Sequence, residues 1–255
     1  MELDSSSAIV TGGASGLGEA TARALAKRGV HVVLLDVQER GQDVAREIDG
    51  TFVKGDVAVP SDVDEAIAAA GERGPLRVLA NVAGISRPAR TVARDGTPYD
   101  LDAFELVIKV NLIGSFNCTR LCASAMSKLE PTASGDRGAI LNTASAAAFD
   151  GQIGQAAYSA SKGGIVGLTL PLARDLAAIG VRVNTIAPGL FDTPIYGTGE
   201  VAEAKKAALG QSVVFPPRLG VSDEFASLAM ELLTNSYMNG EVVRIDGALR
   251  LPPRS

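Results

Sequence analysis

The sequence predicts a single α/β domain built on a doubly wound parallel sheet of about seven strands, with helices on both faces. Three observations carry this. Short apolar runs alternate with helix-like segments separated by turn glycines. The second run, Val30–Asp36 (VHVVLLD), is almost continuously apolar, as in parallel strands covered on both faces. The first run leads straight into a glycine-rich turn and a helix, the opening of a Rossmann-type unit. With 255 residues and 46% hydrophobic content the chain can build one large core, and α/β folds of this length are routinely single domains.

In chain order, Ser7–Thr11 is the first strand, and Gly16–Arg28 a helix with Ala20, Ala24 and Leu25 on one face and Gly29 as its stop. After the second strand come a helix near Gln38–Ile48, a strand at Thr51–Lys54 and a helix at Ser61–Ala70, with Ser61 as its expected N-cap. Val78–Asn81 is the fourth strand. Arg87–Tyr99 is polar and turn-rich, longer than a βα loop requires. A long helix over Asp102–Lys128 precedes the strand Ala139–Thr143. The next helix, Gln155–Ala178, must tolerate Gly163, Gly164 and Pro171, and a bend is expected. Val181–Ala187 is the sixth strand, Asp223–Thr234 a helix and Glu241–Ile245 the last strand.

A formal net charge of -5 gives no bulk electrostatic support for nucleic-acid or anionic-membrane partners, and neither is expected. No apolar run reaches the roughly 18 residues of a spanning helix. The amino terminus lacks the features of a signal or transit peptide, so a cytoplasmic location is expected. Cys118 and Cys122 lie in an apolar helical stretch and read as reduced core thiols. With His31 the single histidine, and that at a strand start, no metal site is expected.

Thr11-Gly12-Gly13-Ala14-Ser15-Gly16-Leu17-Gly18 joins the first strand to the first helix. Glycines let backbone approach a pyrophosphate, which then lies at the positive end of the helix. In isolation the loop could be an ordinary tight turn; its position after the first strand favours a dinucleotide. Asp36 ends the second strand about 20 residues further on, where a carboxylate accepts from the adenosine ribose hydroxyls and repels a 2′-phosphate. No Arg or Lys lies in the loop or directly after Asp36, which points to NAD(H) over NADP(H). Asp56-Val57, after the third strand, could meet the adenine edge.

Tyr158 and Lys162 stand four residues apart, about one helical turn, so they project from one face. A phenol of pKa about 10 carries protons poorly at neutral pH, and a nearby ammonium favours the phenolate. That suits proton transfer to or from an alcohol while a hydride moves. Alone, the pair reads equally well as an exposed helix pair.

Taken in order, Thr11–Gly18, Asp36, Asp56, Asn81-Val-Ala-Gly84, Asn111, Ser145, Tyr158 with Lys162, and Pro188-Gly189 resemble the short-chain dehydrogenase/reductase family over essentially the whole chain. The resemblance implies a catalytic group of Asn111, Ser145, Tyr158 and Lys162. It places Asn81, Ala83 and Gly84 beside the cofactor, and Pro188, Gly189, Phe191 and Thr193 towards the nicotinamide. Ser145 would orient the substrate oxygen, Tyr158 take its proton, Lys162 lower the Tyr158 pKa and bind the nicotinamide ribose, and Asn111 hold a water leading from Lys162 to solvent. Gln155 and Phe191 would contribute to the substrate site.

A narrower likeness, in Asn142–Ser145, Phe149–Gln155, Ile186–Pro194, Phe215–Gly220 and Asn239–Gly247, is to the type II 3-hydroxyacyl-CoA dehydrogenases, also described as 17β-hydroxysteroid dehydrogenase type 10. It implies NAD-dependent oxidation of (S)-3-hydroxyacyl-CoA, steroid-like alcohols as further substrates, a role in fatty-acid or branched-chain breakdown, and a homotetramer. Small residues on the two long helices (Gly114, Ser115, Ala160, Gly163, Gly164, Gly167) would let another subunit approach. Other readings are a hydroxysteroid or other secondary-alcohol dehydrogenase, a 3-oxoacyl-carrier-protein reductase, which Asp36 disfavours, and a non-catalytic binding protein, which the intact Asn/Ser/Tyr/Lys set disfavours. The stretch 190–220 mixes glycines with apolar residues, including Phe191, Ile195 and Phe215. It reads as a loop closing over an acyl chain, or as a surface excursion with a short helix at Val201–Leu209.

Overall fold

The computed structural model describes residues 1–194, 197 and 199–253. Among these, seven strands form one sheet in the order β3-β2-β1-β4-β5-β6-β7, with every neighbouring pair parallel. The strands are β1 (Ser7–Thr11), β2 (His31–Asp36), β3 (Thr51–Lys54), β4 (Leu76–Asn81), β5 (Gly138–Thr143), β6 (Val181–Pro188) and β7 (Val242–Ile245). Side chains along a strand alternate between faces, and the core divides accordingly. Ala8, Val10, Val32, Leu34, Val78 and Ala80 face one layer, whereas Ile9, Val33, Leu35 and Leu79 face the other.

Helices α1 (Gly16–Ala26), α2 (Arg40–Glu47) and α3 (Pro60–Gly71) follow the first three strands. Beyond β4 come α4 (Leu101–Ile108), α5 (Ser115–Met126), α6 (Ala156–Ala177), α7 (Glu200–Gly210) and α8 (Ser222–Thr234). Leu25 of α1 and Phe225, Ala229 and Leu232 of α8 fill the first layer. Val63 and Ala66 of α3, Cys118 and Cys122 of α5 and Leu172 of α6 fill the second. Both cysteines are free and buried, and burial pushes the Cys118 thiol up to about 12. His31 is half-buried, 3.0 Å from the Thr51 hydroxyl, in the packing role its position suggests.

Two local expectations are corrected. Helix α3 begins one residue early, with Pro60 in its first turn and Val59 at the N-cap, so Ser61 lies inside it. The long helix over Asp102–Lys128 is not uniform: between α4 and α5 it widens into a π-helical turn at Lys109–Gly114. Helix α6 continues through Pro171. Arg87–Tyr99 folds back on itself, with Val92 bridged to Pro98 and the Tyr99 hydroxyl donating to the Arg87 carbonyl at 2.6 Å.

Strand order reverses between β1 and β4, so a crevice opens at their carboxyl ends. Registers Thr11↔Leu35, Thr11↔Asn81 and Asn81↔Asn142 keep those ends level. No helix among the described residues is long and apolar enough to cross a membrane.

Candidate active site

The glycine-rich loop leaves β1 against the segment that follows β4. The Thr11 hydroxyl accepts from the Val82 and Ala83 amides at 3.1 and 3.2 Å. Gly12 has φ +68, and a Cβ there would lie 2.7 Å from the Ala83 Cα. At Gly18 a Cβ would lie 2.1 Å from the Gly12 carbonyl oxygen, so the turn closes without side chains. Ser15 sits at the N-cap of α1 but makes no side-chain cap bond. The amides of Gly16, Leu17 and Gly18 thus open a helix at the crevice, where an anion is favoured. Thr193 lies over Gly16, its Cγ2 3.4 Å from where a Cβ would project.

Asp36 ends β2 beside this loop, with Oδ2 accepting from the Ala14 amide at 2.9 Å and Oδ1 from Gln38 N at 3.0 Å. Against expectation, a base does reach the loop. Arg40 donates to the Ala14 carbonyl and pairs with Glu19 at 2.8 Å. It lies four residues past Asp36, in the first turn of α2, and folds back over the loop. Asp56 accepts from the Ala58 amide at 2.9 Å. Val57 is buried, and its carbonyl accepts from Asn117 Nδ2 at 2.9 Å. Asn81 ties the sheet to α5, donating to Thr119 Oγ1 at 3.1 Å and Asn142 Oδ1 at 2.9 Å.

Gly84 sits over the Asn111 and Lys162 side chains; a Cβ there would lie 3.3 Å from Asn111 Oδ1 and 3.4 Å from Lys162 Nζ. Asn111 is fully buried within the π-helical turn. Its Oδ1 accepts from the Ile85 amide at 2.8 Å, and its Nδ2 donates to the Ile85 carbonyl at 2.9 Å and to Ser161 Oγ at 3.0 Å. Lys162 is 3% exposed and donates to the Thr143 carbonyl at 2.7 Å. Its Nζ lies 5.8 Å from the centroid of the Tyr158 ring. Ser145 caps a short 3₁₀ turn, accepting from the Ala147 amide at 3.1 Å, and its hydroxyl lies towards the Tyr158 phenol.

The electrostatics differ from the sequence expectation. Burial pushes the Tyr158 phenol up, and the neighbouring Ser145 hydroxyl opposes it. Burial also lowers the Lys162 ammonium to about 8. The ammonium is directed at the Thr143 carbonyl. Of the two, Lys162 is the group brought towards neutral pH.

Other expected site residues are placed less directly. Pro188 ends β6, and the Gly189 amide donates to the Ile245 carbonyl at 2.9 Å. Phe191 is buried, its ring packed edge-on against Phe225 with centroids 6.3 Å apart, and it lines a cavity with Leu190, Val213, Pro216 and Ile245. Gln155 turns to its neighbour, its Oε1 accepting from the Gln152 amide at 3.0 Å. The segment between Ser145 and Tyr158 is braced from outside by Ala89 N to Gly154 O (3.0 Å), Ile153 N to Pro253 O (3.0 Å) and Arg244 to Asp150 (2.6 Å). The neck of the 190–220 stretch is closed by Gly220 N to Leu190 O at 2.9 Å and Asp192 N to Gly220 O at 2.8 Å. Within that stretch lies α7, with Lys206 bridging Asp192 and Glu203 at 2.8 and 2.9 Å. Ile195 lies outside the described residues.

Residues 6–203 match the family described as short chain dehydrogenase. The chain belongs to that family. Among short-chain dehydrogenases it is 49% identical over 251 residues to the 3-hydroxyacyl-CoA dehydrogenase type-2 of Homo sapiens, covering 96% of this chain and 95% of the relative. It is similar to the crystal structure of 3-hydroxyacyl-CoA dehydrogenase type-2 from Mycobacterium avium, with TM-score 0.92, 47% identity and 98% of each chain covered. It is also similar, at TM-score 0.84 and 29% identity, to 3-ketoacyl-(acyl-carrier-protein) reductase from Brucella melitensis complexed with NADH; the alignment covers 98% of this chain and 100% of that one.

Within this short-chain dehydrogenase, sequence reasoning missed Arg40, Ile85, Thr143 and Ser161 as neighbours of the site. Arg40 had a usable signal, since the first turn after a Rossmann β2 strand lies next to the nucleotide loop. Ile85 and Thr143 act through backbone groups, and no residue type advertises those.

Proposed function

We propose that this chain is an NAD-dependent dehydrogenase that oxidises the 3-hydroxyl of (S)-3-hydroxyacyl-CoA to the 3-oxo compound. The observation that carries the chemistry is the convergence of Ser145, Tyr158 and buried Lys162 beside Gly84, at the carboxyl ends of β4 and β5. The substrate class rests on near full-length similarity to proteins named 3-hydroxyacyl-CoA dehydrogenase type-2.

The side-chain-free cradle of Gly12, Gly16 and Gly18 fits a pyrophosphate, and buried Asp36 fits a ribose diol. Bound there, NAD supplies the hydride acceptor. Asp56, Val57, Asn81, Ala83, Gly84, Pro188, Gly189 and Thr193 line the remainder of its proposed site. Ser145 orients the substrate hydroxyl, and Tyr158 takes its proton. Lys162 receives charge and proton from Tyr158, and Asn111 fixes the Ile85 backbone that roofs this relay. Subunit association through α4–α6 into a homotetramer belongs to the same proposal, supported by exposed Ile113, Phe116 and Leu170 on those elements.

Initial rates with NAD⁺ across 3-hydroxyacyl-CoA chain lengths and steroid alcohols test this reading. The expected result is the highest kcat/KM for an acyl-CoA. A higher value for a steroid alcohol would transfer the assignment to the hydroxysteroid class, and preference for NADPH with a carrier-protein substrate would transfer it to the reductase class.

A further inference from the structure

Ala14, in the middle of the glycine-rich loop, is fully buried and gripped at both ends of its own residue. Its amide donates to Asp36 Oδ2 at 2.9 Å, and its carbonyl accepts from Arg40 Nη1. The Arg40 side chain is 54% exposed, so this guanidinium stands at the solvent mouth of the proposed adenosine-ribose site. In dinucleotide folds an arginine so placed receives the 2′-phosphate that distinguishes NADP from NAD. Here the guanidinium is already engaged. It pairs with Glu19 Oε2 at 2.8 Å, while the other Glu19 oxygen holds Arg23 at 2.8 Å. Burial raises the Glu19 carboxyl, and the two guanidiniums more than offset it, so it stays ionised below its usual range. Arg23 has a second partner in Glu47 at 2.5 Å, whereas Glu19 is the one carboxylate paired with Arg40 among the described residues.

We propose that Glu19 is a specificity-determining residue for the cofactor: it withholds Arg40 from a 2′-phosphate and so adds to the discrimination supplied by Asp36. The inference rests on the NAD reading above and deepens it. With Asp36 present, a 2′-phosphate meets two carboxylates and a matched guanidinium. With Asp36 removed, Glu19 still neutralises Arg40. Only when both are gone does Arg40 become a free cation beside the ribose.

The test is direct binding, followed by nicotinamide fluorescence, of NADH and NADPH to the wild type, Asp36→Ala, Asp36→Ala/Glu19→Gln and the same pair with Arg40→Ala added. Relative to Asp36→Ala, adding Glu19→Gln should tighten NADPH about tenfold, the scale of one charge-assisted hydrogen bond. NADH should change by less than about twofold, and Arg40→Ala should abolish the gain. No gain, an equal gain for both cofactors, or a gain surviving Arg40→Ala would overturn the inference. Should the double variant fold poorly, Asp36→Ala/Arg40→Ala reads the same point. NADPH affinity should match Asp36→Ala within about twofold, because Glu19 already withholds Arg40, and a large loss would overturn it. Tighter NADPH than NADH binding by the wild type would instead overturn the NAD reading itself.

Discussion

Asn111 and Ile85 are joined by two hydrogen bonds running in opposite directions. The Ile85 amide donates to Asn111 Oδ1 at 2.8 Å, and Asn111 Nδ2 donates to the Ile85 carbonyl at 2.9 Å. One carboxamide thus mimics a strand partner for the backbone just after Gly84, from inside a π-helical turn. Asn111→Ala should strand both backbone groups and cost about 2 to 4 kcal/mol of stability. Urea unfolding measures this. A cost below about 0.5 kcal/mol would show that water replaces the side chain freely.

Tyr158→Phe removes the proposed proton carrier and keeps the ring. Turnover should fall on the order of 10² to 10⁴-fold, the range of a general acid–base group, while NADH binding is retained. Steady-state rates with parallel NADH titration decide it. Near-normal turnover would exclude Tyr158 from proton transfer.

Lys162 links pH to both rate and stability. Its pKa falls from the usual 10.5 to about 8 in the folded chain because of burial. Between those values the unfolded chain binds more protons than the folded one, so this group's contribution to stability rises with pH from about 8 to about 10.5. Lys162→Met should flatten that rise in melting curves at pH 8 to 10. Alcohol oxidation in the wild type should also climb through a midpoint near 8, because the reaction needs the pair one proton short. Identical stability slopes in the two proteins would contradict the buried-ammonium assignment.

Gly163 and Gly167 of α6 have open space where a side chain would project. Leu170 on the same helix, and Ile113 and Phe116 in the π-helical turn and α5, are exposed. If subunits associate here, Gly167→Leu or Phe116→Glu should convert a tetramer to smaller species in light scattering. The melting temperature of the released subunit should be little changed in its own right. A wild type already monomeric at micromolar concentration would rule the interface out.

The 190–220 stretch is pinned at its neck, and Lys206 of α7 bridges to Asp192 in the segment after β6. Closure over an acyl chain should protect it. Limited proteolysis within 197–213 is expected to slow when NAD⁺ and an acyl-CoA are bound together. Equal cleavage with and without ligands would leave it an ordinary surface excursion.

The strands were legible to within a residue or two because buried parallel strands are written as aliphatic runs, as in His31–Asp36. What escaped depended on geometry rather than residue type. Lys109–Gly114 keeps a helical apolar rhythm, so the widened turn around Asn111 leaves no mark in the sequence. The edge-on packing of Phe191 on Phe225, a residue of a helix far along the chain, likewise leaves no local mark. Arg40 lies four residues beyond Asp36, and only the fold of the first turn of α2 brings it over Ala14. The Tyr158/Lys162 spacing is visible in the sequence, but the sign of their pKa shifts depends on burial, which spacing does not report.

The Thr11 hydroxyl spans the seam where β1 meets β4, joining residues 71 and 72 positions apart. In kinetic terms this is a late event, since a long loop must close before any of its contacts is gained. The nucleotide loop takes its final shape against Ala83 across the same seam. A refolding chain should therefore collapse and gain helix before it gains affinity for NADH. The return of nicotinamide fluorescence enhancement becomes a clock for the joining of the two halves of the sheet, and aggregation competes with folding most strongly while the β1 edge still lacks its partner.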